Sequence, residues 1–94
     1  MDISSGDFIW NAHKEAANIE KHGIDFVTAA KAFQDPRRRT FTDSKHSSKE
    51  SRLFCIGMVD GKVITVRYVL RQGKIRIFGA GFWRRGKAIY EAQN

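Results

Sequence analysis

Leu53–Phe78, "LFCIGMVDGKVITVRYVLRQGKIRIF", is the stretch that decides how this chain folds. Three apolar runs are separated by Asp60-Gly61 and by Gln72-Gly73. Asp-Gly between apolar runs is a strong signal for a two-residue hairpin, because both central residues must take positive φ. Gln-Gly is a weaker form of the same signal. Taking Gln72-Gly73 as a turn sets a register. Arg71 then faces Lys74, Leu70 faces Ile75, Val69 faces Arg76, Tyr68 faces Ile77, and Arg67 faces Phe78. Side chains alternate between the faces of a sheet. Ile64, Val66, Tyr68, Leu70, Ile75 and Ile77 therefore share one face, which must be core. Carried through the Asp60-Gly61 turn, the register adds Leu53, Cys55 and Gly57 to that face. The opposite face gathers Arg67, Arg71, Lys74 and Arg76 with Phe54, Ile56, Met58, Val63 and Val69. Like charges opposed on a sheet repel, so its basic half needs solvent or an anion. Its apolar half needs a cover, for which the terminal helix or a partner protein is the natural source.

Upstream, "DFIWNA" reads as a short strand or extended lead-in. Asn11 is placed to cap a helix over "AHKEAANIEKH", with Ala12, Ala16 and Ile19 on one stripe and Gly23 as its stop. Asp25 is placed to cap a second helix, "FVTAAKAFQ", which Asp35-Pro36 ends because the residue before proline leaves the α region. "RRRTFTD" reads as an edge strand and "SKHSSKE" as a polar loop. Downstream, "WRRGKAIYEAQ" reads as a terminal helix. The expected architecture is α+β: two N-terminal helices packed on a small antiparallel sheet, plus a C-terminal helix, in a single domain over 1–94.

The charge is concentrated. The chain has 17 basic and 10 acidic residues, a formal net charge of +7. From Gly61 to Tyr90 there is no Asp or Glu, so the whole excess lies in one contiguous third of the chain. Such clustering is the electrostatic footprint of a polyanion ligand, against the plainer alternative of a basic solvated surface. No apolar run approaches the ~20 residues that span a bilayer. Met1–Gly6 has neither the basic start nor the apolar run of a signal peptide. The lone Cys55 cannot form an internal disulfide and reads as a buried thiol. These features fit a cytoplasmic protein without a membrane partner. The three histidines have no metal-ligand spacing, so neither metal nor other cofactor is expected.

Several short motifs occur together in order. "FIWNAHKEAANIEKHGIDFVTAAKAFQDP" (8–36) is followed by "DSKHSSKESRLFCIG" (43–57), with its His-Ser and Glu-x-Arg, and by "VRYVLRQGKIRIFGA" (66–80). With this ordered set the chain resembles the BrnT-type toxins, the ribonuclease halves of bacterial toxin–antitoxin pairs. The resemblance implies a RelE-like toxin fold and metal-independent RNA cleavage. It also implies a cognate antitoxin that neutralises the toxin, with DNA contacted only through the antitoxin complex. Arginines on the sheet carry the function in that family, and the one ending the long strand falls on Arg71. Family members commonly continue the last strand with Ser-Ala-Arg. Here the stretch is Gly79-Ala80-Gly81, and Phe82-Trp83-Arg84-Arg85 follows at once.

Metal-free RNA cleavage needs a base for the ribose 2′-hydroxyl, a cation for the phosphorane, and an acid for the leaving 5′-oxygen. Arg71 and Arg76 are expected to stabilise the phosphate, assisted by Arg67 or Arg84. His46, in the polar loop, offers an imidazole, the side chain most often used for proton transfer near neutral pH. It could equally hold that loop by hydrogen bonds. Arg67, Lys74, Trp83, Arg84 and Arg85 are the expected RNA contacts, with Trp83 serving either as a base platform or as core. Arg37-Arg38-Arg39 read as further phosphate contacts or a solvated edge, and Glu50 and Arg52 as a structural pair. His22 reads as a cation at a helix C-terminus, His13 as exposed, and Tyr68 and Tyr90 as packing. Three function classes follow: an RNA-cleaving toxin, an RNA binder of the same fold without cleavage, and a DNA regulator reading a groove with its β-ribbon. The last lacks a dimerisation signal.

Overall fold

The computed structural model describes residues 1–93. Six strands form one sheet: β1 (Asp2–Ser5), β2 (Phe8–Asn11), β3 (Arg39–Thr42), β4 (Leu53–Val59), β5 (Lys62–Arg71) and β6 (Lys74–Gly81). The helices are α1 (Ala12–His22), α2 (Phe26–Ala30) and α3 (Arg84–Gln93), with 3₁₀ turns at Lys31–Gln34 and Ser44–His46. The strand order is β1-β2-β6-β5-β4-β3.

The central meander forms as its turns dictate. Asp60 and Gly61 have φ of 50° and 80°, and Gln72 and Gly73 have 51° and 76°, the positive values a tight two-residue hairpin requires. The register holds from Arg71–Lys74 to Tyr68–Ile77 and then slips. Arg67 pairs with Gly79, not with Phe78. Phe78 is the extra residue of a β-bulge, a feature that leaves no mark in an alternating pattern.

The α+β class is correct, but the expected order is not. A β1–β2 hairpin precedes the first helix, and β2 runs parallel to β6, making the sheet mixed. Asp2-Ile3-Ser4-Ser5 carries a single apolar residue, too little to read as a strand on its own. It becomes one because β2 supplies a partner edge.

The caps are where the residue types put them. The Asn11 side chain accepts from the His13 and Lys14 amides, Asp25 accepts from the Thr28 amide, and Gly23 ends α1 with φ 72°. The buried side of α1 differs from expectation. Ile19 is 45% exposed and Ala16 is exposed, whereas Asn18 is buried. The Asn18 carboxamide donates to the Ile24 carbonyl (2.9 Å) and accepts from the Ala80 amide (3.0 Å). That amide lies on the stretch of β6 past its pairing with β2, so α1 closes a sheet edge through polar contacts. A buried backbone amide there needs a partner, and an apolar stripe could not supply one.

The two faces of the sheet are covered differently. α2 and the following 3₁₀ turn lay Phe26, Ala29 and Ala32 on the main core, against Trp10, Cys55, Val66 and Ile77. Leu70, expected in that core, is 61% exposed. It lies near the hairpin end, beyond the helical layer. On the other face α3 sets Tyr90 and Ile89 against Ile56, Val63 and Phe41. The terminal helix therefore covers the apolar half of the mixed face and leaves the basic half open. Among the described residues no helix is long and apolar enough to cross a membrane.

Candidate functional site

The open half of that face holds two neighbouring clefts of about 470 and 450 Å³. Arg67 and His22 line both. The first cleft lies between α1 and the basic ends of β5 and β6, and includes Arg52, Arg71, Arg76 and Phe78. The second lies between the 43–46 turn and the start of α3, and includes His46, Phe54, Thr65, Phe82 and Trp83.

The three arginines of the hairpin have different partners. Arg71 makes a two-pronged pair with Glu50, at 2.6 and 3.1 Å. Arg76 pairs likewise with Asp2, at 2.9 and 3.3 Å. The bond to Arg71 holds the Glu50 carboxyl below its usual range, and the bond to Arg76 does the same for Asp2. Arg67 has no carboxylate partner among the described residues. Its guanidinium stands over the Phe78 ring at 5.7 Å, and Arg52 stands over the same ring at 5.2 Å. Phe78 is the bulge residue, so the register slip creates this cation–aromatic stack. Gly79 makes room for it, since a Cβ there would lie 2.9 Å from an Arg67 nitrogen.

Two imidazoles reach the second cleft. His46 lies 2.8 Å, through Nδ1, from the Asp43 carboxylate, and its side chain is 64% exposed. The loop around it is closed by Ser47 Oγ donating to the Asp43 carbonyl and accepting from the Arg52 amide. The expected loop-holding bond is thus present, and the ring still faces the cleft. His22 was read only as a helix-end cation. It ends α1 on the side that meets the strand ends, and a Cβ on Gly81 would lie 3.6 Å from its Nδ1. Its approach to His46 depends on α1 docking at the β6 edge, which no local pattern reveals.

The remaining expected residues scatter. Lys74 donates to the Gly6 carbonyl at 3.0 Å and so ties down the first hairpin. Trp83 is 40% exposed, with its ring 5.5 Å from that of Phe54, so it is not core and one side of the ring is engaged. Arg84 lines a third cleft with Met58, Lys62 and Lys87, and Arg85 is exposed on α3. Neither lines the clefts at Arg67. Among the described residues, no three His, Cys, Asp or Glu side chains gather as metal ligands.

Residues 10–86 match the family of the ribonuclease toxin BrnT of type II toxin–antitoxin systems. The chain belongs to that family. No curated protein matches it. Gly79-Ala80-Gly81 stands where the resemblance implies Ser-Ala-Arg. Gly81 is paired with Thr65 and borders the second cleft. A side chain at position 81 would start beside the His22 ring.

Proposed function

We propose that the chain is a toxin that cleaves RNA without a metal at the junction of the two clefts. Arg67 contacts the scissile phosphate, and His22 and His46 serve the two proton transfers. Arg71 and Arg76 contact flanking phosphates after exchanging their carboxylates. The observation that carries this reading is the position of Arg67, the hairpin arginine without a carboxylate partner among the described residues, at the boundary of two clefts whose rim bears two imidazoles. The reaction is internal transesterification. The 2′-oxygen attacks phosphorus, its proton passes to one imidazole, the P–O5′ bond breaks, and the other imidazole protonates the 5′-oxygen. A cognate antitoxin is the proposed partner that blocks this face, and DNA is reached only through the antitoxin complex.

The test is RNA cleavage by purified protein in EDTA, with Arg67→Ala, His22→Ala, His46→Ala and Arg71→Ala alongside. Loss of a preorganised cation is expected to slow cleavage ~10²–10³-fold, and loss of a general acid or base roughly 10²–10⁴-fold. Arg71→Ala should weaken binding more than turnover. Cleavage by Arg67→Ala at the parent rate, or cleavage abolished by EDTA, would sink the reading.

A second reading, RNA binding without cleavage, is favoured by the glycines at 79 and 81, where the family commonly places serine and arginine. Salt-dependent RNA binding by a folded protein that leaves RNA intact would establish it.

A further inference from the structure

We infer that the second cleft is a nucleobase subsite, in which one base of the bound strand stacks on the exposed face of Trp83 with its edge toward the Thr65 hydroxyl. This deepens the RNA reading above and rests on it.

Four observations carry it. First, the cleft is walled by Phe54, Phe82 and Trp83, and its volume of about 450 Å³ is ample for a small planar group. Phe82 and Trp83 are 52% and 40% exposed, aromatic surface that a small domain normally buries. Second, the Phe54 and Trp83 rings are already in contact, tilted by 36°. A base cannot slide between them, so it stacks on the outer Trp83 face. Third, Thr65 is 5% exposed and its Oγ1 has no hydrogen-bond partner among the described residues. A buried hydroxyl left unpaired is costly, so this one has an unmet hydrogen bond that a ligand edge can make. Gly86 packs over this hydroxyl beside the indole: a Cβ there would collide with Oγ1 and lie 3.2 Å from the Trp83 ring. The base edge therefore reaches Thr65 by displacing the edge of the indole. Fourth, the cleft shares Arg67 and His22 with its basic neighbour, and its one carboxylate, Asp43, is bonded to His46. A nucleotide whose phosphate lies at Arg67 thus has its base over apolar aromatic surface, with no bare negative charge beside it. The aromatic walls, rather than the charge, favour a nucleotide over an acidic antitoxin side chain, which has no planar ring to stack.

The test uses a single-stranded oligonucleotide with 2′-deoxyribose throughout, so that binding is read without cleavage, and a series in which one position at a time is abasic. For the parent protein, one abasic position should weaken binding roughly 5- to 150-fold, the range of a single base–aromatic stack. In Trp83→Leu that penalty should vanish, and in Trp83→Phe it should largely remain. Thr65→Val replaces an unpaired hydroxyl with a methyl group. It should leave the thermal midpoint unchanged or raised and shrink the abasic penalty by about 2- to 10-fold. An abasic penalty in Trp83→Leu equal to the parent's, or no penalty at any position in the parent, overturns the subsite. An unchanged penalty in Thr65→Val removes Thr65 from it. Weaker antitoxin binding by Trp83→Leu with oligonucleotide binding intact overturns it in favour of a protein contact. The cleavage reading fails separately: a protein that shows the Trp83-dependent penalty but never cuts RNA keeps the subsite and loses the catalysis.

Discussion

Asp35 joins three parts of the chain through one carboxylate. Oδ2 accepts from the Tyr90 hydroxyl (2.6 Å) and the Met58 amide (2.7 Å), and Oδ1 accepts from the Arg37 amide (2.9 Å). Partial burial pushes its carboxyl up, but these bonds outweigh that and hold it below the usual range. The sign follows from linkage. A depressed carboxyl adds stability that is complete above the unfolded value of about 3.9 and is lost as pH falls through the native value. The same bond raises the Tyr90 phenol, so on the alkaline side its contribution is complete below about 10 and fades as pH rises through the native value. Tyr90→Phe should therefore cost about 1–2 kcal/mol near neutral pH, the range for a hydrogen bond to a charged group that is partly exposed. Urea titrations of parent and variant should converge in strong acid, and a gap that persists there would mean the loss is packing. Cys55 is a simpler case. Burial pushes its thiol up to about 12, leaving almost no thiolate at neutral pH. A thiol reagent should label it in denaturant and not in the folded protein. Fast labelling of the native state would mean that β4 opens readily. That Cys55 is buried was legible from its place in an alternating run. The joining of Asp35 to Tyr90 was not, because the two lie 55 positions apart and meet only once α3 packs on the sheet.

At the scale of elements, helix-to-sheet contacts are closer and more polar than a hydrophobic pattern suggests. A Cβ on Gly57 would lie 2.5 Å from the Ala32 carbonyl oxygen, a backbone atom that cannot swing aside. Gly57→Ala should cost about 1–3 kcal/mol by overpacking, read as a lower urea midpoint. An unchanged midpoint would mean that the 3₁₀ turn over β4 yields freely. α1 rests on Asn18, whose replacement by Ala leaves the Ala80 amide and the Ile24 carbonyl unpaired and should cost about 1–3 kcal/mol. Because α1 carries His22, Asn18→Ala should also slow RNA cleavage while leaving Arg67 in place. Activity equal to the parent's would separate α1 docking from the site. The helix limits were readable from Asn11, Gly23 and Asp25, since capping is local chemistry. The face α1 buries was not, since an orphan strand amide, invisible in a helical period, chose Asn18 over Ile19.

Across the whole molecule, the positive third of the chain is partly neutralised by the negative remainder. Glu50, from the loop before β4, holds Arg71, and Asp2, from the first hairpin, holds Arg76. The Glu50–Arg71 pair is exposed, and Asp2 is exposed although Arg76 is half-buried; an ion pair that reaches solvent adds little to stability, so a phosphate can take the carboxylate's place. Glu50→Gln and Asp2→Asn should therefore bind RNA more tightly than the parent at low salt, with the difference closing as salt is raised. Affinities equal to the parent's would show that these carboxylates do not compete with RNA. Legible along the chain were the two turns of the central meander, the caps, most of the core face of its strands, the concentration of charge and the family resemblance, but not the first hairpin. Each of these rests on neighbours in the chain, or on a period of two or of about 3.6 residues. It took the assembled fold to show that a bulge at Phe78 stacks Arg67 beside Gly79, that Arg71 and Arg76 are paired, and that His22 and His46 open on one cleft. Those outcomes depend on distant segments meeting, and the energies that bring them together belong to burial and to unpaired polar groups, which no local pattern records.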